Sequence, residues 1–79
     1  MKEKEFRKEV GNRLKLLRKH SYKTQNQIAD ELGLDQPEIS LHERGKRQIT
    51  SFEVYKYARY YNISSDYIVC IVDRPIQTL

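Results

Sequence analysis

Two helix starts and two helix stops lie close together between Thr24 and Gly45, and this spacing constrains the fold more than any other feature. Thr24 is followed three residues later by Gln27, which is the spacing of a capping box at the start of a helix. Gly33 supplies the left-handed residue that ends it. Asp35 opens a second helix of similar length, which ends at Gly45. Two short helices joined by a turn of about three residues form a helix-turn-helix unit.

Three further helices are predicted around this unit. Apolar residues from Phe6 to Leu17 recur at spacings of three and four, which indicates an amphipathic first helix. Thr50 begins a fourth helix, and Ser64 begins a short fifth helix with Tyr67, Ile68 and Ile71 on its inner side. The sequence therefore predicts an all-α, compact five-helix domain over residues 6–73, a frayed N-terminus over residues 1–5 and a C-terminal tail over residues 74–79.

The composition excludes several classes of protein. A chain of 79 residues forms one small core and leaves no room for a deep catalytic cleft, and no nucleophile is paired with a base. We therefore expect no enzyme and no cofactor. His20, His42 and Cys70 lack metal-ligand spacing, and a single cysteine excludes an internal disulfide. No apolar stretch has the length of a membrane span, and a reducing cytoplasm is the expected location.

Basic residues fall into two groups, within a formal net charge of +4. The stretch 7–23 carries seven basic residues and one acidic residue, which fits either a solvated helix face or a contact with an acidic partner. Arg44, Lys46 and Arg47 directly follow the second helix of the helix-turn-helix. Their position favours contact with DNA phosphates.

The sequence resembles the helix-turn-helix proteins of the lambda repressor and Cro class over roughly Val10 to Pro75. The resemblance is carried by Gln25, Ala29, Gly33, Ile39 and the stretch 43–47, ERGKR. Ala29 is small where two helices cross, and Ile39 anchors the second helix. The resemblance implies a lambda-repressor-like DNA-binding domain with its helix-turn-helix over residues 24–44.

The resemblance implies a transcriptional regulator, a repressor, that binds double-stranded DNA. It implies a homodimer that reads an inverted-repeat operator through the helix over residues 36–44. The expected base-reading residues are Gln36, Pro37, Glu38, Ser40 and Leu41. The expected phosphate-binding residues are Thr24, Gln25, Arg44, Lys46 and Arg47. Glu38 has a competing role, because its carboxylate can also cap the backbone of Asp35.

Two residues depart from the pattern of the family. Tyr22 stands where the family commonly has Gly or Asn, and we expect its ring to supply an apolar contact at the start of the second helix. His42 stands where the family carries an aliphatic or aromatic residue, and we expect a hydrogen-bonded core histidine rather than a pH sensor.

Tyrosines crowd the last two predicted helices. Because aromatic side chains are enriched at interface cores, we expect Tyr60 and Tyr67 to form the contact between two copies; half-buried surface tyrosines are the alternative. An antitoxin-like or adaptor protein, whose main role is to bind a protein partner, is the alternative function.

Overall fold

The computed structural model describes residues 1–75, and these residues form five α-helices. The predicted all-α fold is confirmed. The helices are α1 (Glu3–His20), α2 (Gln25–Leu32), α3 (Gln36–Glu43), α4 (Ser51–Tyr61) and α5 (Ser65–Ile68). Of the predicted tail over residues 74–79, Arg74 and Pro75 lie within the described residues and 76–79 lie outside them.

Capping residues set most helix ends where the sequence predicts them. Thr24 and Thr50 each accept a hydrogen bond from the backbone N–H three residues later, at 3.1 Å in both cases. Gly33 and Asn62 close α2 and α4 in the left-handed conformation, with φ of 69° and 56°. These ends fix the lengths of α2 and α4.

The first helix begins earlier than predicted, at Glu3 rather than Phe6. Glu3 and Glu5 lie in its first turn, where negative charge is stabilised by the partial positive charge of the helix end. Glu3 also pairs with Arg7 at 3.8 Å across one turn. The charged residues of this segment therefore extend the helix instead of fraying.

The core lies where α1 and α4 cover the helix-turn-helix. Its buried apolar residues come from all five helices and the turn before α5: Val10, Leu14, Ile28, Ala29, Leu32, Ile39, Tyr57, Ile63, Tyr67 and Ile68. Ile39 is fully buried, as predicted for the residue that anchors α3. Ile71 was predicted on the inner side of the last helix, but α5 ends at Ile68 and Ile71 is 70% exposed.

The loop between α1 and α2 also differs from expectation. Tyr22 has a φ of 56°, in the left-handed region, and this region favours Gly and Asn. Its ring is 93% exposed, so it does not supply the apolar contact predicted for it. The left-handed turn directs the side chain into solvent.

Candidate nucleic-acid interface

The N-terminal ends of α2 and α3 are joined by a hydrogen bond between two glutamines. Gln36, the first residue of α3, donates from Nε2 to Oε1 of Gln25, the first residue of α2, at 2.7 Å. Each helix start leaves backbone N–H groups without intrahelical partners. The structure therefore brings together one predicted base-reading residue and one predicted phosphate-binding residue.

A buried ion pair anchors this glutamine pair to α1. Nε2 of Gln25 donates to Oε1 of Glu43 at 3.1 Å. Arg18 binds the same carboxylate with two nitrogens, at 2.7 and 3.0 Å, and the hydrogen bond to Glu43 raises the pKa of Arg18. The side chains are 13% and 4% exposed, so the pair is shielded from water. Side chains of three helices thus form one hydrogen-bonded network, which runs from Arg18 through Glu43 and Gln25 to Gln36.

The other predicted base-reading residues lie along α3. Pro37 is exposed, and Ser40 and Leu41 are partly exposed. Glu38 accepts a hydrogen bond from the backbone N–H of Asp35 at 3.2 Å, which is the capping role foreseen as the alternative for this residue. Its second oxygen lies 3.9 Å from Nη1 of Arg47, so this carboxylate already has two partners.

The predicted phosphate-binding cations surround the C-terminal end of α3. Nε of Arg44 donates to the backbone oxygen of Ser40 at 3.3 Å and to its hydroxyl at 3.2 Å. Lys46 is exposed, and the side chain of Arg47 is 49% exposed. Thr24, at the other end of the surface, is exposed but uses its hydroxyl to cap α2.

Two glycines allow α1 to lie directly against the end of α3. Neither contact was predicted from the sequence. A methyl group on Gly11 would lie 2.4 Å from the backbone oxygen of His42. One on Gly45 would lie 2.8 Å from Cα of Lys8. The position of Gly11 inside a predicted helix could have indicated its contact, since glycine weakens a helix interior and is expected there where close packing requires it.

His42 fixes the inner face of α3 on α4. It is fully buried, and its Nδ1 shares a hydrogen bond of 2.8 Å with the hydroxyl of Tyr57. Nε2 has no hydrogen-bond partner among residues 1–75 and lies 3.6 Å from Oε1 of Glu53. Burial lowers the pKa of His42 from its ordinary value of 6.5, although Glu53 opposes that shift. The predicted core role of His42 is confirmed.

Residues 14–68 match the helix-turn-helix family HTH_3. This match spans well over half of the 79 residues. The chain belongs to this helix-turn-helix family. The resemblance to the lambda repressor and Cro class is thereby confirmed, and α2, the turn at Gly33 and α3 are its helix-turn-helix.

Solved structures of helix-turn-helix proteins have the same fold. The restriction-modification controller protein C.AhdI from Aeromonas hydrophila is 28% identical, with a TM-score of 0.73 over 77% of this chain and 92% of that chain. The DNA-binding domain of BldD is 18% identical, with a TM-score of 0.76 over 87% and 99% of the two chains. An HTH_3 family transcriptional regulator from Vibrio cholerae is 23% identical, with a TM-score of 0.78 over 89% of this chain and 39% of that chain. The last two show the fold alone.

No curated protein sequence matches this helix-turn-helix chain closely enough to count as a relative. None of the helices formed by residues 1–75 combines the length and apolar character needed to cross a bilayer.

The tyrosines predicted to join two copies of this helix-turn-helix protein lie in different environments. Tyr67 is 8% exposed and belongs to the apolar core, and the guanidinium of Arg13 lies 4.6 Å from the centre of its ring. This burial confirms the placement of Tyr67 on the inner side of α5 and contradicts its assignment to a surface contact. Tyr60 is partly buried, and its ring meets that of Tyr61 edge-on at 5.1 Å.

Two other exposed aromatic rings lie on the outer face of α4. Phe52 and Tyr55 are 62% and 55% exposed, and their rings stack at 6.1 Å. Lys56 reaches from the same helix to donate to the backbone oxygen of Leu32 at 3.0 Å. That oxygen is at the C-terminal end of α2, roughly 10 Å along the helix from Gln25. Because Nζ of Lys56 also lies 4.9 Å from the centre of the Phe52 ring, the aromatic pair is beside the end of α2 that is opposite Gln25.

Proposed function

We propose that this protein is a sequence-specific regulator of transcription that binds double-stranded DNA and represses at an inverted-repeat operator. The observation that carries the proposal is the position of Gln36. Its side chain lies at the start of α3, is held by Gln25, and is followed by cations at the far end of the helix. In helix-turn-helix proteins the second helix enters the major groove and its N-terminal residues contact base edges.

The hydrogen bonds of Gln36 suit adenine. A glutamine amide has two N–H donors and one acceptor oxygen, and Gln36 uses one N–H on Gln25. Within residues 1–75 no other bond engages the second N–H or the oxygen. Adenine presents an acceptor at N7 and a donor at N6 in the major groove, and these match the two remaining groups.

The other residues of the surface have secondary parts in this proposal. Ser40 contacts a base edge, and Leu41 and Pro37 contact thymine methyl groups. Glu38 accepts from cytosine only by giving up its contact with the backbone N–H of Asp35, so Glu38 contributes least.

Phosphates are held at both ends of the surface. The second N–H of Gln25 and the unpaired backbone amides that follow Thr24 bind one phosphate, since the start of a helix favours an anion. Arg44, Lys46 and Arg47 bind another, with Arg47 leaving its long contact to Glu38.

Selection of bound sites from random duplexes tests sequence-specific recognition directly. We expect an inverted repeat with half-sites separated by about one helical turn, roughly 34–36 Å. Gln36→Ala should lower the discrimination at one adenine position by roughly 1–3 kcal/mol, with little change on random DNA. Lys46→Ala is the matched control, because loss of a phosphate contact weakens all sequences alike. Equal losses on specific and random DNA for Gln36→Ala would remove this residue from the base readers.

Repression requires a separate test. A promoter that overlaps the selected site should lose activity when the protein is expressed, and a mutated site should restore it. Increased activity from the intact site would show an activator instead.

A second copy of the chain is the proposed partner on α4. One recognition helix reads only a few base pairs, so a single small domain competes poorly with non-specific sites. The exposed Tyr55 forms part of the wall of a groove that Val54, Ala58, Ile63 and Val69 also line. Because the Tyr55 ring and the groove lie on the same face, a dimer with a two-fold axis would put each Tyr55 ring in the groove of the other copy. Tyr60 lies five residues away, roughly 140° around the helix, and is outside this contact.

Sedimentation of a variant tests this contact. Tyr55→Asp should give a folded monomer, because the ring is exposed and the substituted carboxylate would be buried in the groove. Tyr22→Asp is the matched control, since Tyr22 is more exposed and lies on the loop before α2. A dimeric Tyr55→Asp variant would place the interface elsewhere, and a parent that sediments as a monomer at all concentrations would exclude the homodimer.

A further inference from the structure

The outer face of α1 carries a continuous row of lysines, which we call the lysine stripe. Lys4, Lys8, Lys15 and Lys19 recur at spacings of four, seven and four residues, with Asn12 between them, and all are exposed. Residues at these spacings share one face of a helix. At 1.5 Å per residue, the stripe from Lys4 to Lys19 is roughly 22 Å long.

The stripe differs from the other cations of α1 in having no carboxylate partner. Arg7, Arg13 and Arg18 each pair with a glutamate, at 3.8, 3.4 and 2.7 Å. Within residues 1–75 no ion pair engages any lysine of the stripe. The arginines of α1 are therefore engaged in ion pairs, whereas the lysine ammonium groups of the stripe are exposed without a paired carboxylate among the described residues.

The stripe continues the surface that follows α3. The close approach of Gly45 to the backbone of Lys8 joins the loop after α3 to the middle of α1. A shallow groove runs along this contact, with Lys4, Lys8, Asn12 and Lys15 on one wall and the loop 44–46 on the other. Glu5, Glu9 and Glu43 also line this groove. Arg44 and Lys46, proposed above to bind phosphate, thus share a groove with the stripe.

We propose that the lysine stripe binds the phosphates of DNA that flanks the half-site read by α3. The inference rests on the proposed function and extends it, because it adds a second phosphate-binding surface outside the helix-turn-helix. A strand carries one phosphate for every 3.4 Å of helix axis, so a stripe of this length crosses several phosphates beyond those held by Arg44 and Lys46. Lysine ammonium groups bind such phosphates as point charges without reading sequence.

The test compares two lengths of duplex containing the selected operator. One duplex ends at the outer edges of the two half-sites, and the other extends by about one helical turn, ~10 base pairs, on each side. Lys8→Gln/Lys15→Gln removes two charges from the stripe at exposed positions. Lys2→Gln/Arg74→Gln removes two exposed charges outside the stripe and serves as the matched control. Circular dichroism confirms that each variant is folded.

We expect the stripe variant to bind the extended duplex roughly ten- to thirty-fold more weakly near physiological salt, and its salt slope to fall by about two units. On the short duplex it should bind nearly as well as the parent, and the control variant should match the parent on both. An unchanged affinity and slope on the extended duplex would overturn the inference while leaving the proposed function intact, and would favour a solvated face or an acidic protein partner. A parent protein that binds neither duplex would overturn both.

Discussion

The substitution Gly11→Ala has two opposing effects on the free energy of unfolding. The substitution gains about 0.8–1.0 kcal/mol of helix propensity, because glycine is a poor helix former. However, the added methyl group would lie 2.4 and 2.6 Å from the backbone oxygens of His42 and Glu43, where ordinary contact begins near 3.4 Å. Both neighbours are backbone atoms and cannot rotate away, so α1 and α3 must separate by about 1 Å.

Separation of the helices outweighs the gain in propensity. Overpacking of this kind costs typically 1–3 kcal/mol, and a gap approaching 1 Å forfeits a quarter to a half of each dispersion contact along the α1–α3 seam. It also stretches the ion pair between Arg18 and Glu43, which spans these two helices. We expect the free energy of unfolding to fall by about 2 kcal/mol net, which in a domain of this size lowers the melting temperature by about 10 °C.

Urea denaturation followed by circular dichroism measures this difference. Asn12→Ala is the control, because Asn12 is the next residue of α1 and is exposed; it should leave stability unchanged or slightly increased. If Gly11→Ala is as stable as the parent, or more stable, then propensity dominates and α1 does not lie against the end of α3 as described.

Four other substitutions test particular contacts. Arg18→Met and Glu43→Gln should each lower the free energy of unfolding by about 3 kcal/mol, because each leaves the other group buried without its partner, and a double-mutant cycle should show that the double substitution costs less than the sum. Because burial lowers the pKa of His42 below 6.5, the unfolded chain binds a proton on His42 more tightly than the folded chain does. The contribution of neutral, buried His42 to stability is complete above about pH 6.5 and is lost as the pH falls through the folded pKa. Urea denaturation near pH 7.5 and near pH 5 should therefore show a smaller difference for His42→Gln than for the parent. Tyr22→Asn should raise stability by about 0.5–1 kcal/mol in the same assay, because asparagine tolerates the left-handed backbone, with φ of 56°, better than tyrosine.

Local chemistry made the helix-turn-helix predictable. Thr24 caps the residues that follow it, and Gly33 closes the same helix through its own backbone conformation. Such interactions are complete within a few residues of sequence, so the sequence contains all the information they need. The extra turn at Glu3 was not predicted, because each acidic residue near the start of a helix stabilises it only weakly and the effect is substantial only when these contributions are added.

Contacts between distant residues could not be predicted in the same way. Arg18 is one of the seven basic residues of the stretch 7–23, for which a solvated helix face or a contact with an acidic partner was predicted, but it pairs with Glu43, 25 positions away. Tyr67 was placed on the inner side of α5 by helical spacing and also assigned to an interface by residue type, but its contact with the guanidinium of Arg13, 54 positions away, was not predicted. In both cases the crossing of α1 over the other helices decides the environment, and periodicity within one helix does not reveal where that crossing occurs.

The ion pair between Arg18 and Glu43 also determines how the Gln36 amide is oriented for the proposed contact with DNA. A carboxylate accepts hydrogen bonds and donates none, so Glu43, held by Arg18, requires Gln25 to direct its Nε2 inward. The carbonyl oxygen of Gln25 then points towards Gln36, which must donate to it. That requirement sets the orientation of the Gln36 amide and leaves its oxygen and second N–H for a base. The charge on Glu43 thus fixes the donor and acceptor pattern of Gln36, a residue that Glu43 does not touch. For the proposed contact with adenine, we therefore expect the specificity of α3 to depend on the buried ion pair between Arg18 and Glu43 as well as on the exposed side chains of the helix.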